Sequence, residues 1–168
     1  MKSALITGAA SGIGKACAQR MAQEGYGVVV AGVNMAAAEA LVQELTAVGL
    51  SAIAVHMDVS DEQEVEAGFD KMMETYGSCD LVMSNAGVQI VHSFDEYPFE
   101  DWKKMMAIHA DGAFLVARAA FRRMKASGKT GQAAGRGLYD WSKKDADDFR
   151  HRKQSPYFDG VKSWTMPG

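Results

Sequence analysis

Ser3-Ala4-Leu5-Ile6-Thr7-Gly8-Ala9-Ala10-Ser11-Gly12-Ile13-Gly14 is the stretch whose reading decides the fold. An apolar run of strand width enters a turn carrying three glycines, and the turn opens at once into a helical pattern that lasts to Glu24. Glycines there let the backbone approach a ligand closely, and the start of the helix aims its unpaired N–H groups and positive dipole end outward. Strand, glycine turn and helix in that order are the context a dinucleotide site requires.

Working outward, the hydrophobic period switches repeatedly between that of strands and that of helices. Gly25-Tyr26-Gly27 breaks the first helix, whose inner face is read as Ile13, Ala16, Cys17 and Met21. Val28-Val29-Val30-Ala31 reads as a buried parallel strand, and residues 35–48 as a helix closed by Gly49. A third strand spans residues 51–56, followed by Met57-Asp58-Val59. Ser60-Asp61-Glu62 caps a helix to Tyr76, with Gly77 at its end. Residues 80–84 form a fourth strand that leads into Asn85-Ala86-Gly87, and two further helices are expected at 100–110 and 113–125. The fold class is therefore α/β: a Rossmann-like, doubly wound parallel sheet in three αβα layers. Right-handed crossovers give strand order 3-2-1-4. The ligand crevice then lies at the carboxyl ends of strands one and four, where both glycine motifs fall.

From Ser127 onward the pattern stops. Residues 127–137 hold no run of branched apolar side chains that would make a buried strand, residues 140–153 are densely charged, and 155–168 lack periodicity. The expected organisation is a dinucleotide-binding domain over 1–126, with an incomplete C-terminal half in which 127–168 form an atypical, poorly ordered tail. Without a fifth strand, strand four becomes a sheet edge.

Composition narrows the partners. With net charge −3 and pI near 5.8, nothing in the chain favours nucleic acid or an anionic membrane. No apolar run is long enough to span a bilayer, and the first strand begins too early to leave room for a signal peptide. Cys17 and Cys79 read as buried thiols of a cytoplasmic protein, and no metal site is expected.

Thr7-Gly8-x-x-x-Gly12-x-Gly14, Asp58 and Asn85-Ala86-Gly87, in this order and spacing, resemble the short-chain dehydrogenase/reductase family over about residues 1–126. The resemblance implies that the glycine turn holds a cofactor pyrophosphate, that Asp58 contacts the adenine, and that the Asn-Ala-Gly segment lines the cofactor site. The implied cofactor-binding set is Gly8, Ser11, Gly12, Ile13, Gly14, Asp58, Val59, Asn85, Ala86 and Gly87. Asn85-Ala86-Gly87-Val88-Gln89, followed by Phe99-Glu100-Asp101-Trp102 and on to His109, is similar to the 3-hydroxybutyrate dehydrogenases. That similarity implies a nicotinamide-dependent oxidation of a small hydroxy acid, 3-hydroxybutyrate to acetoacetate, with Gln89 on the substrate carboxylate. The alternative for Gln89 is a surface loop residue. His109 stands where the family has a catalytic Asn, and it reads equally as a proton-relay residue or as a satisfied helix residue. Tyr139-x-x-x-Lys143 matches the family's catalytic pair, in which the Lys ammonium lowers the Tyr pKa for proton transfer. Residues 135–141 also resemble a non-catalytic segment of some hydroxyacyl-CoA dehydrogenases, so both readings of Tyr139 stand.

Two departures matter. Strand two ends in Gly32-Val33-Asn34, where family members specific for NAD carry an acidic residue. No Arg or Lys is nearby to receive a 2′-phosphate, which favours NAD over NADP. The family's catalytic Ser has only Ser127 as a counterpart, in a segment with nothing to hold it. Two functions follow: a hydride-transferring enzyme, commonly a homodimer or homotetramer in this family, or a catalytically inactive, truncated nucleotide-binding or interaction module.

Overall fold

The structure, a computed structural model, describes residues 1–128, of which Met1–Met124 form one compact unit. Four parallel strands, β1 (Ser3–Thr7), β2 (Gly27–Gly32), β3 (Ala52–His56) and β4 (Leu81–Met83), lie in the order β3-β2-β1-β4. Leu5 pairs with Val29 on one side and Val82 on the other, and Val29 in turn pairs with Ile53. β1 and β2 are buried almost throughout, which is why they read as unbroken apolar runs instead of alternating ones. Among the described residues β4 is one of the two edge strands, with β3 at the other side. Strand β4 is three residues long and only half buried, shorter than the expected 80–84.

The pleat sends alternate side chains to opposite faces. Ile6, Val28 and Val30 pack with Ala18 and Ala22 of α1 (Gly12–Gln23) and with Ala38, Leu41 and Leu45 of α2 (Met35–Ala47). On the other face, Leu5, Val29 and Ala31 pack with Val65, Phe69 and Met72 of α3 (Glu62–Tyr76) and with Val116, Ala119 and Ala120 of α5 (Gly112–Ala126). This is the expected three-layer arrangement. The expected helix ends hold as well. The Asp61 carboxylate accepts from the N–H groups of Gln63 and Glu64 at 2.8 and 3.0 Å, and Gly49 and Gly77 close α2 and α3 in the left-handed region at φ 81° and 70°. α3 and α5 are further tied by ion pairs: Arg118 to Glu62, Arg122 to Glu66, and Arg123 to both Glu66 and Asp70.

Two expectations need correction. The inner face of α1 is only partly the one expected: Cys17 and Met21 pack against the core, but Ile13 is 72% exposed and Ala16 is also exposed, and Gly14, Ala18 and Ala22 are buried instead. Gly14 sets this rotation. A Cβ there would lie 2.6 Å from Asn85 Nδ2 and closer still to Gly8 O, so the helix meets the turn backbone to backbone at that residue. Second, the two helices expected after β4 form one continuous helical path. α4 (Phe99–Met106) runs into a π turn (Ala107–Asp111), which runs into α5. Gly112 stands at that junction because a Cβ there would come 2.7 Å from Val59 Cγ2. A π turn makes a local irregularity without a breaker residue, so hydrophobic periodicity alone does not register it.

Candidate functional site

The carboxyl ends of β1 and β4 carry the two glycine motifs, and one side chain joins them. Thr7, the last residue of β1, is fully buried. Its Oγ1 accepts hydrogen bonds from the N–H groups of Asn85 and Ala86, both at 2.9 Å, and faces Met83 O at 3.5 Å. In return the Asn85 amide donates to Thr7 O at 2.9 Å and Gly8 O at 3.3 Å. A Cβ on Gly8, whose φ is +63°, would meet Ala86 Cα at 3.0 Å, so glycine is needed both for the left-handed backbone and for the close approach. The loop after β4 is thus locked onto the glycine turn. Sequence reasoning quoted Thr7 but gave it no role; its position at the strand end, before the first glycine, was the available signal.

Beyond the lock, the start of α1 is bare. Ser11 is its N-cap, but no side chain caps the helix, and Ser11, Gly12 and Ile13 are exposed. Gly12 has φ +53°, and a Cβ there would meet nothing within 4 Å. Unpaired N–H groups at a helix start, with open space before them, suit an anion such as a pyrophosphate. Asp58 follows β3, and its carboxylate accepts from the Ser60 N–H at 2.9 Å and the Ser60 hydroxyl at 2.7 Å. Those two bonds, with His56 nearby, hold its carboxyl below the usual aspartate value against the opposing effect of burial. The Asp58 N–H donates to Glu64, which also pairs with His56 at 3.0 Å. Val59 is buried, and its side chain packs in the core against Gly112. At the end of β2, the Asn34 side chain is engaged as the cap of α2, accepting from Ala37 N–H at 3.1 Å, and Val33 is exposed.

The loop after β4 brings the expected substrate residues to the same edge. His109, in the π turn, sets Nε2 2.7 Å from Val88 O and 3.2 Å from Val88 N. An unprotonated Nε2 accepts from the N–H, whereas a protonated one donates to the carbonyl. A Cβ on Gly87 would lie 2.6 Å from the His109 ring. Gln89, next in the chain, is exposed and borders a pocket. The structure therefore brings together Gly8, Ser11, Gly12, Ile13, Gly14, Asn85, Ala86, Gly87, Gln89 and His109, with Asp58 at the neighbouring strand end. Tyr139 and Lys143 lie outside the described residues. Among the described residues no group of acidic, His or Cys side chains is placed to hold a metal, and no helix is long and apolar enough to cross a membrane.

Comparison with known proteins agrees with this geometry. The short chain dehydrogenase family profile matches residues 2–134. The uncharacterized oxidoreductase YuxG of Bacillus subtilis is 42% identical over 132 residues, covering 77% of this chain and 19% of that protein. L-rhamnose 1-dehydrogenase (NAD(P)(+)) of Azotobacter vinelandii is 37% identical over 134 residues, covering 77% of this chain and 52% of the relative. A crystal structure of a short-chain type dehydrogenase/reductase from Mycobacterium marinum superposes with a TM-score of 0.73 at 35% identity, over 76% of this chain and 51% of that one. The chain thus spans about half or less of the length of these relatives. A matching profile over most of the chain, on a sheet that locks its two glycine motifs together, places this protein in the short chain dehydrogenase family.

Proposed function

We propose that this chain supplies the nucleotide-binding half of an oxidoreductase that moves a hydride between a nicotinamide cofactor and a small alcohol or hydroxy acid. The observation that carries the reading is the Thr7–Asn85 lock, which presents the bare α1 start and the Asn85-Ala86-Gly87 segment at one sheet edge. Gly12, Ile13 and Gly14 N–H groups with the Ser11 hydroxyl would hold the pyrophosphate, and Asp58 and Val59 the adenine end. Gly87 and Ala86 would line the nicotinamide end. The cofactor supplies the hydride acceptor; the chain binds it, orients it and excludes water around it. NAD is the proposed cofactor, since no Arg or Lys stands at Gly32-Val33-Asn34 to receive a 2′-phosphate.

Gln89 is exposed one residue from the Val88–His109 contact, and its amide would anchor the substrate carboxylate. This supports a small hydroxy acid such as 3-hydroxybutyrate, oxidised to acetoacetate, as a substrate. Tyr139 with Lys143 would take the alcohol proton, and His109 would keep the Val88 backbone in place. Exposed Phe114 and Phe121, two helical turns apart on α5, support a homodimer or homotetramer.

Calorimetry with NAD, paired with NADH formation from 3-hydroxybutyrate, tests the reading on the purified chain. Binding with turnover that disappears in Tyr139→Phe is the expected result. Binding without turnover would leave a nucleotide-binding module, and the absence of binding would overturn the cofactor site itself.

A further inference from the structure

The loop between β4 and α4 borders an open pocket of about 640 Å³ against the first turns of α4. Its walls are Gln89, Ile90, Phe94, Tyr97, Trp102 and Met105, with Phe99 at the helix start. A pocket of this size lies within the range of small-molecule sites. No charged side chain lines it. The Tyr97 hydroxyl is already used, since it bonds Ile90 O at 2.8 Å and Met105 Sδ at 3.0 Å. Charged neighbours in the same segment pair with one another, His92 with Asp101 and Lys103 with Glu100, both at 2.8 Å. The Gln89 amide and the Trp102 indole N–H are therefore the uncommitted polar groups among the wall side chains. Everything else offers rings, a branched aliphatic group and a thioether, surfaces that favour flat or bulky hydrocarbon.

The same segment leaves Phe94 98% exposed and Trp102 49% exposed, a grouping of large apolar side chains of the kind that marks a ligand or interaction site. Its position selects the occupant. The pocket begins at Gln89, one residue beyond the backbone that His109 grips at the nicotinamide end of the crevice. The segment is also held in shape without a ligand, by the Tyr97 bonds, the His92–Asp101 pair and the edge-on packing of His92 on Tyr97.

We propose that this pocket receives the apolar, non-reacting body of the substrate, a ring or medium-length chain carried by the carbinol carbon, while Gln89 holds the polar end. The inference rests on the hydride-transfer reading above and extends it: 3-hydroxybutyrate fits the anchor but leaves the pocket unfilled, and hydroxy acids with a larger apolar body are the better ligands.

The test is a matched pair of probes on the full chain, 3-hydroxybutyrate and 3-hydroxy-3-phenylpropanoate, which differ only in a phenyl group replacing the methyl. Calorimetry is run with and without NAD. The phenyl acid should bind at least tenfold more tightly, and both Trp102→Ala and Phe94→Asp should remove most of that preference. Phe94 is so exposed that its replacement leaves the fold intact, which circular dichroism verifies. Equal affinities, or no binding of the phenyl acid, overturn the inference. So does concentration-dependent self-association that Phe94→Asp abolishes in a chain with no phenyl preference, because the face would then be a contact between copies. NAD binding, measured separately, distinguishes failure of this inference from failure of the cofactor site.

Discussion

Replacing Thr7 by Val exchanges one hydroxyl for a methyl of nearly the same size. Valine keeps the branched shape and strand preference of threonine, so the change isolates the hydrogen bonds of Oγ1. In the variant, the Asn85 and Ala86 N–H groups, each 2.9 Å from that oxygen, lose their acceptor. A buried donor left unpaired costs about 1–3 kcal/mol. Asn85 and Ala86 are half buried, so water recovers part of the loss and the low end applies to each. The sum is about 2–3 kcal/mol. Thr7→Ser is the control: it keeps the oxygen and gives up one methyl at a fully buried site, for about 1 kcal/mol. At about 3 °C per kcal/mol for a chain of this size, Val should lower Tm by about 6–9 °C and Ser by about 3 °C. Amide exchange adds a local reading, since the Asn85 and Ala86 protons should lose protection in Val and keep it in Ser. Urea and thermal unfolding, with NAD affinity alongside, complete the assay. If Val proves as mild as Ser, the lock between the two glycine motifs does not carry the crevice, and the account of the site is wrong.

Gly14→Ala pushes a methyl against Asn85 Nδ2 and the Gly8 carbonyl; overpacking of about 1–3 kcal/mol outweighs the roughly 1 kcal/mol gained in helix propensity, and NAD affinity should fall at least tenfold by calorimetry. Gly12→Ala, where a Cβ meets open space but φ is +53°, should lose affinity with little more than the backbone strain in its stability. Asn85→Asp turns an amide donor into a carboxylate facing the Thr7 and Gly8 carbonyls, and should cost about 2–3 kcal/mol in urea unfolding at neutral pH. Wild-type affinity and midpoint in that variant would contradict the assigned bonds. Asp58 and Glu66 are both held below their ordinary values, the first chiefly by the Ser60 side-chain bond and the second chiefly by its bond to Arg123. A depressed folded value gives stability that is full above the unfolded value and is lost as pH falls through the folded one. The urea midpoint should therefore drop below about pH 4.5, and Arg123→Met should flatten that drop; a slope unaffected by the substitution would show that the α3–α5 ion pairs do not contribute.

Much of the fold was legible because each strand and helix carries its own period and its own end signals. β1 and β2 are buried on both faces and read as solid apolar runs, and Asp61, Gly49 and Gly77 mark helix ends by local chemistry. What escaped reading depends on contacts distant in sequence. The rotation of α1 is fixed by Gly14 meeting Gly8 and Asn85, the last of these 71 residues further on, and apolar periodicity cannot report a backbone-to-backbone contact. Ile13 scores as core in any such pattern, yet it stands exposed at the mouth of the crevice. The π turn was equally silent, since Ala107-Ile108-His109-Ala110-Asp111 contains no breaker. Within the site, the glycine positions were legible because they answer to steric rules. The role of Thr7 was not, because its partners follow the neighbouring strand β4, 78 and 79 residues further on.

That division bears on how the two halves of the proposed chemistry depend on each other. The lock uses Thr7, Gly8, Asn85 and Ala86, all on β1 or directly after β4, and the bare start of α1 follows from Gly14 packing on the same turn. Among the described residues, the bonds that shape the pyrophosphate end are therefore made within Met1–Met124. Val88 is gripped by His109 and Tyr97 is bonded to Ile90, so the substrate-side loop is also fixed from within that unit. Nothing in these contacts calls on Tyr139 or Lys143. Nucleotide binding should accordingly survive Tyr139→Phe with unchanged affinity even where turnover is lost, because the phenol would act on a proton and not on the shape of the crevice. A loss of NAD affinity in that variant would mean that the cofactor site extends into the later residues, and that the self-contained half inferred from Thr7 and Asn85 is too small.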